Sequence, residues 1–388
     1  MEIGILHYSM PPLIGGVERV IEAHARMFQE QGDRVRLYHN GRQPRVANAL
    51  PGIAVPGMSS PAPFDERRDE IVRFFEHEPL DCLIAHNIFT MPFDLAATAA
   101  LWKLSEQMPV VSWVHDLAAA SPFHRIGNSP AEKLLRCHPK HATVVAVSQA
   151  RANAYKTLTG HGVSAVIPNG VDVLKSCGLS LDLQQRLEAR DALDAFPVLL
   201  HPARILKRKN FGLGLRLTAA LQDAGLNPLY VITGAPEPFT GKQALYRTEL
   251  DRMISELRLE NSVIFLSDDA VLTDADVRAL YGVADALFFP SEEEGFGLPV
   301  LEAGAQRLPV FCSENQPLVE LARLNGVVFP LQVDPATLAA EVATFLSRDP
   351  ANQVRKTIRD KYHWRAIFQN NILPLLQNVL SKTPEPTL

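Results

Sequence analysis

Short apolar runs alternate with segments of helical period along almost the whole chain, in two successive series. Runs of four or five apolar residues, too short for buried helices and bounded by turn residues, read as strands buried on both faces. The first series falls at 3–7, 35–39, 82–86, 110–114 and 144–147. The second falls at 198–201, 229–233, 263–266, 286–289, 310–312 and 327–329. Helical periodicity fills the gaps, as at 17–31, 95–104, 213–224 and 338–346. Strands that alternate with helices pair in parallel, with helices on both faces of the sheet. The expected class is therefore α/β, with two doubly wound Rossmann-like domains. The turn Ile167-Pro-Asn-Gly-Val-Asp172 marks the boundary, giving domains at 1–170 and 171–363, with a further helix expected at 181–193. The segment 364–380 is apolar at helical spacing. It reads as a helix, about 364–381, that crosses back to the first domain, and the tail 382–388 is expected to fray.

At 388 residues, with 47% hydrophobic and 21% charged residues, the chain has a soluble globular composition. A net charge of −5 speaks against nucleic acid as a partner. Cys82, Cys137, Cys177 and Cys312 have no paired spacing, which excludes a cysteine zinc motif and argues against a disulfide framework. No stretch reaches the ~18 apolar residues of a membrane span, and no charged region followed by an apolar one opens the chain. A cytoplasmic protein is expected. The short basic stretch 130–140 leaves weak peripheral contact at the inner membrane face open.

Chemistry gathers at the expected carboxyl ends of strands, where open α/β sheets bind ligands. Ser291-Glu-Glu-Glu-Gly-Phe-Gly-Leu-Pro-Val-Leu-Glu302 reads as a strand end, a glycine turn and a helix start. Proline suits that first turn, and a helix N-terminus behind a glycine turn favours an anion. Glu294 lies in the turn and Glu302 about one turn into the helix, so phosphates and hydroxyls could be held together. Arg204, Lys207, Arg208 and Lys209 follow the first strand of the second series and suit phosphate binding. In the first series, Gly15-Gly16 opens a helix, while His86-Asn87 and His115-Asp116 end neighbouring strands. The Gly-x-Gly-x-x-Gly dinucleotide fingerprint is missing, which speaks against a nicotinamide dehydrogenase.

Taken in order, these motifs resemble glycosyltransferase family 4, the retaining enzymes with the GT-B fold. The family's glutamate pair, separated by seven residues, is matched by Glu294 and Glu302. Its Tyr-x-x-Ala-Asp motif is matched by Tyr281–Asp285, and its Arg and Lys by Arg204 and Lys209. Its Pro-Asn-Gly-Val-Asp turn is Pro168–Asp172, its Gly-Gly-x-Glu is Gly15–Glu18, and its strand-end His-Asp is His115-Asp116. The chain departs from the pattern at Gln306-Arg307, where a small residue and glycine are usual. It departs again at Ser267 in place of glycine, and at Gly234, which is followed by Ala235-Pro236.

The resemblance implies two domains facing a central cleft. It implies transfer of a hexosyl group from a nucleotide diphosphate sugar, UDP-glucose being favoured, to an unknown hydroxyl acceptor. Arg204 and Lys209 would meet the phosphates, with Gly15, Gly16, Gly234, Gly295, Phe296, Gly297 and Leu298 lining the donor. Glu302 would hold the ribose, Glu294 the sugar hydroxyls, and His115 the donor sugar or the charge near its anomeric carbon. His86, Asn87 and Asp116 would face a sugar, sugar phosphate or lipid-linked acceptor. No cofactor and no metal are expected; Asp268-Asp269 and Asp274-Ala-Asp276 read as acids beside a helix start. Other readings on the same motifs are a sucrose-phosphate-synthase-like enzyme or sugar phosphorylase, with Lys103, Lys133, Arg136 and Lys140 near an acceptor phosphate. A GDP-mannose-dependent mannosyltransferase and a nucleotide-sugar-binding protein without turnover complete the alternatives.

Overall fold

The computed structural model describes residues 1–11, 15–41, 51–58, 60–234, 241–268, 272–322 and 326–381. Ala235, Pro236, Asp269 and the tail 382–388 lie outside the described residues. The chain divides into two compact units, Met1–Gly170 with Tyr362–Leu388, and Val171–Lys361. Each holds one parallel sheet wound in both directions, the α/β class that the alternation implies.

The first sheet comprises β1 (Glu2–Leu6), β2 (Arg34–His39), β3 (Gly52–Ala54), β4 (Cys82–His86), β5 (Val110–Val114), β6 (Thr143–Ala146) and β7 (Ala165–Val166), in the order β3-β2-β1-β4-β5-β6-β7. The order reverses between β1 and β4. A crevice opens beyond their carboxyl ends at such a point. The β4 and β5 strands are buried along their whole length, which is why they read as unbroken apolar runs. Of the two edge strands, β7 leads into the Ile167–Asp172 turn, where a strand end is expected, and β3 is unanticipated. The β3 and β7 strands are three and two residues long and nowhere fully buried, so they carry no apolar signal.

The C-terminal segment packs on this unit. Trp364, Ile367, Phe368, Ile372 and Leu376 join the core that contains Phe28 and Trp113. The Phe28 and Phe368 rings meet edge to face, 5.0 Å between centroids. A Cβ on Gly170 would lie 2.5 Å from Trp364 Cδ2, so the Pro168–Gly170 turn needs glycine to sit on that indole. The segment is not one uniform helix. A wide π-turn at Phe368–Ile372 separates Trp364–Ile367 from Leu373–Ser381. Pro374, which has no N–H to donate one turn back, stands just after that turn.

The second sheet comprises β8 (Val198–His201), β9 (Leu229–Ile232), β10 (Val263–Phe265), β11 (Ala286–Phe289), β12 (Val310–Ser313) and β13 (Gly326–Phe329), in the order β10-β9-β8-β11-β12-β13. Here β8 and β11 flank the reversal. Asp285, fully buried, fixes their amino ends: its Oδ2 accepts from Val198 N–H at 2.8 Å, and its own N–H donates to Val198 O at 2.8 Å. Arg359 donates to the other carboxylate oxygen at 2.6 Å. The helix expected at 181–193 ends at Glu188, because Asp191 turns to φ +49° and Ala192 N–H closes onto Leu187 O. Among the described residues, no helix is long and apolar enough to cross a membrane.

Two outcomes follow from this packing. Phe368→Ala removes a core ring and should cost about 3–5 kcal/mol, read as a lower urea midpoint for the first unit. Asp285→Ala strands the buried Arg359 guanidinium and should cost about 3–5 kcal/mol. A midpoint within error of the parent chain would contradict either assignment.

Candidate functional site

In the second unit, the loops after β8 and β11 are laced together at the point of reversal. Residues Lys207–Lys209 form a 3-10 turn, and Asn210, at φ +53°, starts the next helix and caps it through its side chain. Arg208 O accepts from Glu292 N–H at 2.8 Å, and Arg208 Nη1 donates to Glu293 O at 2.9 Å. Ser291 O, behind them, accepts from Ser313 Oγ and from Asn315 Nδ2. This lacing sets Lys209 against Glu294. The two side chains form an ion pair and are only 11% and 9% exposed. Lys209 Nζ also lies 5.2 Å from the centre of the Phe289 ring. Arg204 and Lys207 are exposed in the same loop.

The turn then delivers a helix start. Gly297 adopts φ +99°, and a Cβ there would lie 2.5 Å from Leu318 Cδ2, so both backbone and space require glycine. It is the N-cap of the helix Leu298–Ala305, with proline in the first turn and no side chain capping it. The end of that helix therefore offers backbone donors and positive potential. Phe296 and Leu298 are more than half exposed beside it, and nothing crowds Gly295. One turn along, Glu302 Oε2 accepts from the Tyr281 hydroxyl at 2.6 Å. Burial and then this carboxylate hold the Tyr281 phenol protonated, well above its ordinary range. Tyr281 carries a motif tyrosine yet was absent from the expected site residues; its contact with Glu302 brings it in. Asp285, from the same motif, is structural.

The departures have local explanations. Ser267 Oγ donates to Gly234 O at 2.7 Å, tying the ends of β9 and β10 together. A Cβ on Gly234 would lie 1.8 Å from Ala203 O and 2.6 Å from Arg204 Cα, so Gly234 sets the path of the Arg204 backbone. Arg307 takes φ +57° at the end of the Leu298–Ala305 helix, with Leu308 N–H closing onto Ala303 O. It thus adopts the left-handed conformation that a glycine would supply. Two of the acids considered for a metal are otherwise engaged. Asp268 pairs with Arg247, and Asp276 completes a capping box with Thr273. Among the described residues, no group of three His, Cys, Asp or Glu is placed to hold a metal ion.

The first unit carries a different kind of site. Asn87, at φ +62° just past β4, accepts through Oδ1 from the His115 and Asp116 N–H groups at 2.8 and 3.1 Å. Asn87 thus shapes the end of β5 with that oxygen. His86 is fully buried, so the expected contact with an acceptor is corrected: its Nδ1 faces His115 Nε2 at 2.9 Å instead. Asp116 is half exposed and pairs with Arg151. Gly15 is extended, and the space a Cβ would fill there holds the Glu18 carboxylate, which also accepts from Ser9 Oγ at 2.6 Å. An anion at Gly15 would meet that carboxylate in this conformation, whereas Gly16 is uncrowded. Arg136 donates through both Nη atoms to the Gly127 and Ile126 carbonyls.

The model described as Glycosyl transferases group 1 matches residues 186–363, and that described as Glycosyltransferase Family 4 matches residues 14–174. The chain belongs to glycosyltransferase family 4. It is 34% identical over 84 residues to the O-antigen chain mannosyltransferase RfbU of Salmonella typhimurium, covering 22% of this chain and 23% of that protein. It is 21% identical over 360 residues to N-acetyl-alpha-D-glucosaminyl L-malate synthase of Bacillus anthracis, covering 90% and 88%. A glycosyltransferase structure from Rickettsia africae aligns with a TM-score of 0.40 at 17% identity, covering 98% of this chain and 99% of that one. The chain spans about a quarter of the length of the first curated relatives it matches.

The buried imidazoles of this family member give a pH signature. Burial lowers His7, His24, His86, His115 and His201, with His24, His115 and His201 each falling to about 3. In the unfolded chain a histidine titrates near 6.5. Their contribution is therefore complete above about pH 6.5 and is lost as pH falls from there toward 3. Each such histidine steepens the loss by about 1.4 kcal/mol per pH unit. Urea midpoints should drop between pH 7 and pH 5, and His24→Leu should flatten the slope by one histidine's share; equal midpoints at both pH values would contradict it.

Proposed function

We propose that the chain transfers a hexosyl group from a nucleoside diphosphate sugar to a hydroxyl acceptor, with retention at the anomeric carbon. The observation that carries this reading is the nearly buried Lys209–Glu294 pair, joining the loops that follow β8 and β11 at the sheet reversal, with an uncapped helix start in the second of those loops. Departure of a diphosphate builds negative charge as the bond from the anomeric carbon to the phosphate oxygen breaks. Preorganised cations and backbone N–H groups stabilise that charge without reorganising. Arg204 and Lys209 take the phosphates, helped by the amides around Phe296-Gly297-Leu298. Glu302, oriented by Tyr281, takes the ribose diol. His115 is a sugar-contacting group of the first unit, which also takes the acceptor.

Lys209 and Glu294 neutralise each other before the donor arrives. A phosphate competes for the ammonium, and the carboxylate released accepts from sugar hydroxyls. Glu294 is thus a sugar-holding group, and the acceptor hydroxyl attacks the face that the diphosphate leaves, passing its proton to the departing phosphate oxygen as the new bond to the anomeric carbon forms. UDP-glucose is the favoured donor. GDP-mannose is a second reading, supported by short matches to mannosyltransferases of 34% and 37% identity.

A thermal-shift panel of UDP-, GDP- and ADP-sugars tests the donor. The true donor at about 100 times its Kd adds about 2.7 kcal/mol, and no shift with any of them would overturn the reading. Lys209→Met should cost about 3 kcal/mol, because it leaves Glu294 without its cation. Adding Glu294→Gln should recover most of that stability but no transfer. Glu294→Ala with full transfer activity would remove the sugar-holding role.

A further inference from the structure

The first unit buries a row of imidazoles whose order is set by hydrogen bonds. His7 Nδ1 lies 2.9 Å from the His86 carbonyl oxygen, which only accepts, so His7 carries its proton on Nδ1. His86 Nδ1 lies 2.9 Å from His115 Nε2, with the rings 25° from coplanar. One proton occupies that contact, and either ring could own it. The far nitrogen of His86 decides the matter. His86 Nε2 is buried with no partner among the described residues, near the rings of His24 and Trp113. Trp113 Nε1, an obligate donor, is also buried without a partner. His24, beside both rings, has neither nitrogen partnered among the described residues and carries one N–H, so a proton on His86 Nε2 would add a third orphaned donor there, the rarer and costlier defect. A lone pair on Nε2 avoids it.

We propose that His86 is a positioning residue that donates Nδ1–H to His115 Nε2 and so holds His115 as the neutral Nδ1–H tautomer. His115 then presents a hydrogen-bond donor at the strand end and no basic nitrogen. Its Nδ1 meets no acceptor among the described residues and is left for the ligand. The group opposite must be an accepting oxygen, such as a sugar hydroxyl or a phosphate oxygen. The acceptor's proton does not leave through His115. Burial, which pushes His115 to about 3, agrees with a neutral ring. The hydroxyl or phosphate identity of the ligand rests on the transferase reading; the tautomer does not.

The test is long-range 1H–15N spectroscopy of the full chain labelled with 15N-histidine, with His115 assigned by the loss of its signals in His115→Ala. The expected pattern is a protonated Nδ1 and a bare Nε2 on His115 from pH 5 to 8, without any ligand. A protonated Nε2, or an imidazolium in that range, overturns the proposal. His86→Asn sets an amide donor near the same point and should keep the pattern, whereas His86→Leu should release a mixture. If His86→Leu leaves the pattern unchanged, His86 is not the positioning group. With the donor found in the thermal-shift panel, His86→Leu should lower kcat by about 100-fold at little change in donor KM, and His86→Asn should restore part of it. A correct tautomer with no nucleotide sugar bound or consumed would sink the transferase reading and leave this one standing.

Discussion

The site in the second unit depends on Asp285, a carboxylate at the far end of the strands that carry it. Its hydrogen bonds to Val198 align the amino ends of β8 and β11, and Arg359 neutralises it in the dry interior. Those two strands run parallel from that anchor and end where Lys209 and Glu294 meet. An isolated buried charge is expensive and a well-bonded pair is tolerated. The cost of burying Asp285 is therefore tied to having Arg359, from the end of the same unit, folded against it.

Much of this organisation is legible in the sequence because fully buried parallel strands cannot alternate polar and apolar residues. The runs at β4, β5, β8 and β11 give both sheets, and the glycine turn with its proline gives the start of the Leu298–Ala305 helix. What stays hidden is burial and partnership. His86 and His115 look alike in the sequence, since each ends a strand before a polar residue. Only packing shows that one stands behind the other. Glu18 reads as a first-turn acid, and nothing local reveals that its carboxylate folds back over Gly15. Arg307 breaks a glycine pattern without changing the turn, because the closure from Leu308 to Ala303 enforces the left-handed conformation on a residue that tolerates it poorly. The short β3 and β7 strands depend on neighbours for their pairing and leave no periodic trace of their own.

The two units make polar sites by opposite means. The second gathers full charges and a helix end, which suit a ligand whose charge grows as a bond breaks. The first has neutral imidazoles around a buried indole, held by a left-handed asparagine. Neutral donors orient an oxygen at little cost in solvation, because no ion has to be stripped of water.

The pairing of Lys209 with Glu294 also explains how a lysine can be nearly buried in the loop after β8. An ammonium at that depth without a counterion would lose its proton or draw in water. Glu294 supplies the counterion from within the same pair of loops. A diphosphate can replace it only by bringing equivalent charge, and the displaced carboxylate is stable only where hydroxyls receive it. A nucleoside diphosphate without its sugar meets the first condition and fails the second. Under the proposed transferase reading, the pair would couple recognition of the phosphate to recognition of the sugar, because neither partner is well placed alone at that depth.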